Sequence, residues 1–133
     1  MAKQTGWLVY NGGLNSAKFK EIHEWYRQTA KSKGISLELV ANHELMSVME
    51  DGEPVVKSRM NLNQPDFVLF LDKDIRLARQ LERQGLRLFN RSEVIEICDD
   101  KTSTFQALAG KGLPMPKTII SPLMFDGTKE QDD

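Results

Sequence analysis

The run Phe67-Val68-Leu69-Phe70-Leu71 narrows the choice of fold more than any other stretch of this chain. It is continuously apolar, too short for a buried helix, and bounded by Pro65-Asp66 and by Asp72. A segment with no polar alternation fits a strand covered on both faces, as at the centre of a parallel sheet. Parallel neighbours cannot be joined by tight hairpins and need helical crossovers. The rest of the chain should therefore read as βα units, and most of it does.

Gly6 to Tyr10 is a second compact apolar run, broken by Asn11-Gly12-Gly13. It predicts a buried first strand and a turn. Asn15 or Ser16 can cap a helix reaching about Lys33, with Phe19, Ile22, Tyr26 and Ala30 as its buried stripe and Trp25 at the margin. Gly34 ends it, and Leu37, Leu39 and Val40 give the next strand, completing one right-handed βαβ unit. Residues 43–49 read as a short helix or as the approach to a strand. Asp51-Gly52 is a hairpin signal between Met46 and Val48 on one side and Val55 and Val56 on the other, and Pro54 points to an edge. Past the central strand, Asp72 or Asp74 caps a helix with Leu77, Ala78 and Leu81 inward. Gly85 stops that helix and Leu86 to Phe89 form another strand. The reading is an α/β fold, an open and mainly parallel sheet with helices on both faces.

The chain has 133 residues, 40% hydrophobic and 28% charged, enough for a domain with its own core. A net charge of −1 leaves no broad basic surface for nucleic acid. Cys98 is the single cysteine, so no disulfide can close within the chain. The opening MAKQTG lacks the apolar core of a signal peptide, and no run is long enough to span a membrane, so a cytoplasmic location is expected. His23 and His43 lack metal-ligand spacing and read as surface residues; no metal site is expected. Met46, Met49 and Met60 read as core or interface filling. Residues 122–133 carry no core pattern and read as a disordered tail.

Leu88 to Ile120 holds the densest set of local signals. Asn90 can cap a helix, with Glu93 placed to reach back, and Val94, Ile97 and Cys98 then share an apolar face where the thiol would be packed. Asp99 or Asp100 can cap a second helix that opens on Lys101 and Thr102 and carries Phe105, Leu108 and Ala109 on its apolar face. Gly112 suits a left-handed C-terminal cap with Leu113 as its contact, Pro114 and Pro116 stop the helix, and Thr118 to Ile120 read as a strand.

That order resembles the junction of ATP-grasp enzymes, where a Rossmann-like pre-ATP-grasp domain passes into the nucleotide-binding domain. It is most similar to ligases that join a carboxylate to an amine, the ribosomal-protein glutamate ligases among them. The resemblance implies a pre-ATP-grasp domain over 1–98 and the cut-short start of an ATP-grasp domain over 99–121. It implies a parent enzyme that uses ATP and Mg2+ to activate a carboxylate as an acyl phosphate and passes it to an amine. The chain alone would supply part of the substrate cleft, hold no cofactor tightly and contain no catalytic residue.

By that resemblance Lys101, of the Asp100-Lys101 pair, is the contact to the ATP phosphates, and a lysine beside a positive helix end suits that role. The plain alternative is an exposed lysine next to a capping aspartate. Asn11, Gly12 and Gly13 lie where a strand of an α/β sheet ends and a ligand can approach the backbone, or they are a simple turn. They match neither a dinucleotide fingerprint nor a phosphate-binding loop. Asn90, Arg91 and Ser92 open a helix after a strand, and Arg91 can grip a carboxylate in a bidentate fashion; equally, they are a cap and two exposed neighbours.

Two other classes of function are open. The chain can be a free-standing α/β module that dimerises through a sheet edge or the hairpin, forming a homo-oligomer. The run ending at Asp72 also resembles the phosphoacceptor strand of response-regulator receiver domains. Those need an acidic pair after the first strand, where Tyr10-Asn11-Gly12 stands here.

Overall fold

The structure is a computed structural model and describes residues 3–125. Its elements are β1 (Gln4–Tyr10), α1 (Ala17–Ser32), β2 (Ile35–Ala41), a 3-10 turn (Asn42–Glu44), β3 (Leu45–Glu50), β4 (Glu53–Ser58), β5 (Phe67–Phe70), α2 (Ile75–Arg83), β6 (Leu88–Phe89), α3 (Ser92–Asp99) and α4 (Lys101–Leu108). The main sheet runs β2-β1-β5-β6 and every pairing in it is parallel. The expected α/β class and parallel sheet are both present, with the Phe67 run inside the sheet. β1 steps to β2 and β5 steps to β6 in opposite directions across the sheet, so right-handed crossovers put α1 and α2 on opposite faces.

The core lies between the sheet and α2. Trp7, Val9, Val40, Val68 and Phe70 meet Leu77, Ala78 and Leu81, with Ile95 of α3 and Leu45 closing the sides. Each such side chain contributes about 1.5–3 kcal/mol by leaving water. Gly6 belongs to the same economy of space: the Phe67 ring lies across it, 2.4 Å from where a Cβ would sit.

The hairpin forms as the Asp51-Gly52 signal predicts. β3 pairs antiparallel with β4, Val48 opposite Val55, and Asp51 and Gly52 both take positive φ, 52° and 78°. Its attachment is less legible. Two glutamines one helical turn apart on α2 hold it: Gln80 Nε2 donates to the carbonyls of Val48 (2.9 Å) and Val55 (3.2 Å), and Gln84 Oε1 accepts from the Val56 N–H (2.7 Å). Gln80 is buried, so these bonds replace water it has lost. Met46, Met49 and Met60 stay exposed and fill no core.

Several expectations need correction. Ser16 does cap α1, but its stripe is not buried: Phe19, Ile22, Trp25 and Tyr26 are all exposed, and His23, expected at the surface, is the buried residue. The imidazole packs on Tyr10, centroids 4.4 Å apart, because the helix turns that residue and not Ile22 toward the sheet. Asp74, not Asp72, caps α2. The cap position of α3 is Arg91 with no side-chain bond; the Ser92 N–H is met by Glu82 Oε1 of α2 at 2.8 Å, and Asn90, one residue before the cap position, makes no cap. On α3 it is Ile95 that is buried, while Val94 and Cys98 are exposed.

Asp100 caps α4 as expected, but no residue of that helix is buried. The helix ends at Leu108 with Gly110 the first left-handed residue, two positions before Gly112, and Leu113 is exposed. Thr118 to Ile120 form no strand, and Ile119 is 87% exposed. An isolated strand has nothing to bond with, and no neighbouring strand reaches it among the described residues. The tail expectation for 126–133 lies outside the described residues.

Candidate functional site

Where β1 and β5 lie side by side, the chain leaves them in opposite directions, which makes their carboxyl ends the switch point of the sheet. Open α/β sheets bind ligands in that crevice. The loop after β1 supplies Asn11, Gly12 and Gly13, and the loop after β5 supplies Asp72 and Lys73.

These residues are bonded to one another. Asn11 Oδ1 accepts from the Gly13 N–H at 2.9 Å, and Asn11 Nδ2 donates to Asp72 Oδ1 at 3.3 Å. The Gly12 N–H donates to Asn42 Oδ1 at 2.9 Å. A Cβ at Gly12 would lie 2.2 Å from Nδ1 of the exposed His43 ring, which would have to turn away to admit it. The glycines thus serve close packing in the loop, and their two N–H groups are taken up internally. Asp72 is buried, 8% exposed; its Oδ1 also accepts from the Lys73 N–H at 2.8 Å, while Oδ2 has no partner among the described residues.

α3 runs back along α2, and three contacts fix the direction. Ser92 meets Glu82, Arg79 pairs with Glu96, and Lys73 pairs with Asp99 at 2.8 Å. The Asp99 hydrogen bond and charge raise the Lys73 pKa. This return leads through Asp99 to the start of α4. Lys101 is its first residue and is exposed. Asp100 accepts from the N–H groups of Thr102 and Ser103 and from the Ser103 hydroxyl at 2.9 Å. Its pKa is lowered, chiefly by that hydroxyl bond, so the carboxylate stays charged beside the lysine.

Lys101 follows two residues after Asp99, whose pairing with Lys73 is the one link from this stretch toward the loop after β5 among the described residues. Asn90, Arg91 and Ser92 are not brought to the edge that holds Asn11, Gly12 and Gly13, because Ser92 sits against the last turn of α2, the end away from Asp72. Arg91 is exposed and Ser92 is buried. Asn42, His43 and the buried role of Asp72 escape sequence reasoning. The signal that points to them is positional: the loops after two neighbouring strands at a switch point meet each other.

No family model matches the chain. Short stretches do match known proteins. Over 48 residues the chain is 51% identical to beta-citrylglutamate synthase B of Homo sapiens, covering 36% of this chain and 12% of that protein. Over 48 residues it is 53% identical to N-acetylaspartylglutamate synthase A of Homo sapiens, with the same coverage. The synthase B of Danio rerio is 51% identical over 47 residues, 35% of this chain and 12% of that protein. The match thus spans about an eighth of the length of these relatives, and all of them are synthases. Among the described residues no helix is long and apolar enough to cross a membrane, and no group of three His, Cys, Asp or Glu comes together to hold a metal ion.

Proposed function

We propose that this chain forms the N-terminal part of an ATP-dependent ligase of the ATP-grasp type, which joins a carboxylate to an amine through an acyl phosphate. The observation that carries the reading is the half-identity over 48 residues to two synthases whose names both describe glutamate conjugates. On that basis glutamate is the amine we assign, with its amino group as the nucleophile.

The residues present fit one part of the ATP requirement. Lys101, exposed at the start of α4, suits a contact to a phosphate oxygen. Asp100 already accepts from two of the helix's first N–H groups, so the lysine charge, not the helix end, is the attraction offered. ATP when bound supplies the phosphoryl group that activates the carboxylate. This chain's part is to present one cation and one wall of the cleft, and it is expected to show no turnover alone.

The test is a nucleotide titration of the longer parent protein and of this chain, each with Lys101→Ala. Loss of a charge-assisted bond should weaken ATP binding to the parent by about 1.5–3 kcal/mol. Unchanged affinity, or ATP turnover by the 133-residue chain itself, removes the reading. A second reading, an interaction module, is favoured by the exposed Phe19, Ile22, Trp25 and Tyr26 of α1. It predicts a partner bound through that face and no response to nucleotide. A receiver role for Asp72 has little support, since the residue facing it is Asn11 and not an acid.

A further inference from the structure

Asp72 has no part in the proposed function, yet it is a buried group at the switch point with an unmet bonding requirement. Its Oδ2 is sealed from solvent and has no partner among the described residues. The groups around it do not neutralise it. Oδ1 accepts from the neutral Asn11 amide and from the Lys73 backbone N–H, and the Lys73 ammonium pairs with Asp99 instead. A carboxylate taken out of water without a cation is costly. A switch-point crevice is also where such a sheet receives its ligand.

We propose that Asp72 is the anchor for the amino group of an amine-bearing substrate, held together with Asn11 between the ends of β1 and β5. The inference rests on the ligase reading only for the substrate class, because a carboxylate–amine ligase must hold an amine. Two features suit the role. An amino group brings N–H donors, which Asp72 Oδ2 lacks, since the amides of Asn11 and Lys73 reach Oδ1 alone. The Asn11–Asp72 bond, made to Oδ1 at 3.3 Å, is longer than the usual N–H···O range, so swinging the Asn11 amide aside to let a stronger donor reach the carboxylate costs little.

The experiment is an amide-resolved NMR titration of the 133-residue chain, with no nucleotide present. The probes are L-glutamate and N-acetyl-L-glutamate, which differ in whether the nitrogen can act as an ammonium. L-glutamate should shift the amides of Asn11, Gly12, Gly13 and Lys73 saturably, and the acetylated acid should not. Asp72→Asn, which keeps the shape and removes the charge, should weaken binding about tenfold or more. The amides of β3 and β4, remote from the crevice, report whether that variant folds; if it does not, the two-probe comparison on the unaltered chain decides. Equal shifts with both probes, no shift with either at the highest soluble concentration, or an Asp72→Asn chain that binds as tightly would overturn the proposal. A failed amine titration beside intact nucleotide binding by the parent removes this inference alone. Loss of the Lys101 effect beside a positive amine titration removes the ligase reading alone.

Discussion

Asn11 and Asp72 stand 61 positions apart in the chain and share a hydrogen bond across the carboxyl ends of two adjacent strands. The bond ties the loop after β1 to the loop after β5 at the switch point of the sheet. Replacing Asn11 by Asp sets a second carboxylate against a buried one. We expect a loss of about 1–3 kcal/mol at neutral pH, since a donor is lost and like charges meet. Like charges repel only while both carboxylates are ionised, so the penalty should fade in acid. Urea unfolding of Asn11→Asp at neutral and acidic pH measures both effects; a penalty that does not change with pH would show that charge is not its source.

Capping of α3 by a neighbouring helix gives a second test. Glu82 Oε1 meets the Ser92 N–H, whereas Asn90 makes no cap. Glu82→Ala should cost about 0.5–2 kcal/mol, the usual worth of a cap. Asn90→Ala should cost clearly less. Equilibrium unfolding of the two variants side by side checks this, and the reverse order would refute the assignment.

Two glycines should respond differently to the same methyl group. At Gly6 the added Cβ meets the half-buried Phe67 ring at 2.4 Å, and overpacking there should cost about 1–3 kcal/mol. At Gly12 it meets His43, an exposed side chain that can turn away. Gly12→Ala should therefore be milder, and adding His43→Ala should recover most of the loss. Thermal melts of the three variants and the double variant measure the coupling.

Burial lowers the pKa of His23 below its ordinary 6.5. The folded state thus favours the neutral ring, while the unfolded chain takes up a proton as pH falls through about 6.5. The unfolded state binds more protons in that window, so stability is held above it and declines from about pH 6.5 down to the lowered folded pKa. Thermal melts between neutral and mildly acidic pH should show this decline. His23→Phe, which keeps an aromatic ring against Tyr10, should flatten it.

Much of the architecture was legible in residue order. Phe67 to Phe70 form the expected inner strand, Asp51-Gly52 turns a hairpin, and Gly34 and Gly85 lie at helix ends, because these signals are local; the expected cover on both faces is incomplete, with Phe67 and Leu69 half-buried and Leu71 exposed beyond the strand. The misjudged places share one cause. Which face of α1 is buried, whether Glu82 or Asn90 caps α3, and whether Thr118 to Ile120 can pair as a strand all depend on what lies opposite. Periodicity shows that a face exists, not whether anything covers it.

The same division holds for the site. The chain's own order determined an α/β fold, the positions of its strands, and a lysine and an Asn-Gly-Gly turn worth attention. Only the tertiary structure decided that Asp72 is a buried carboxylate facing Asn11, that Lys73 turns to Asp99, and that α3 doubles back along α2. The physical reason is that hydrogen bonds and ion pairs act over a few ångströms of space, and the partners here come from strands that meet only once the parallel sheet has formed.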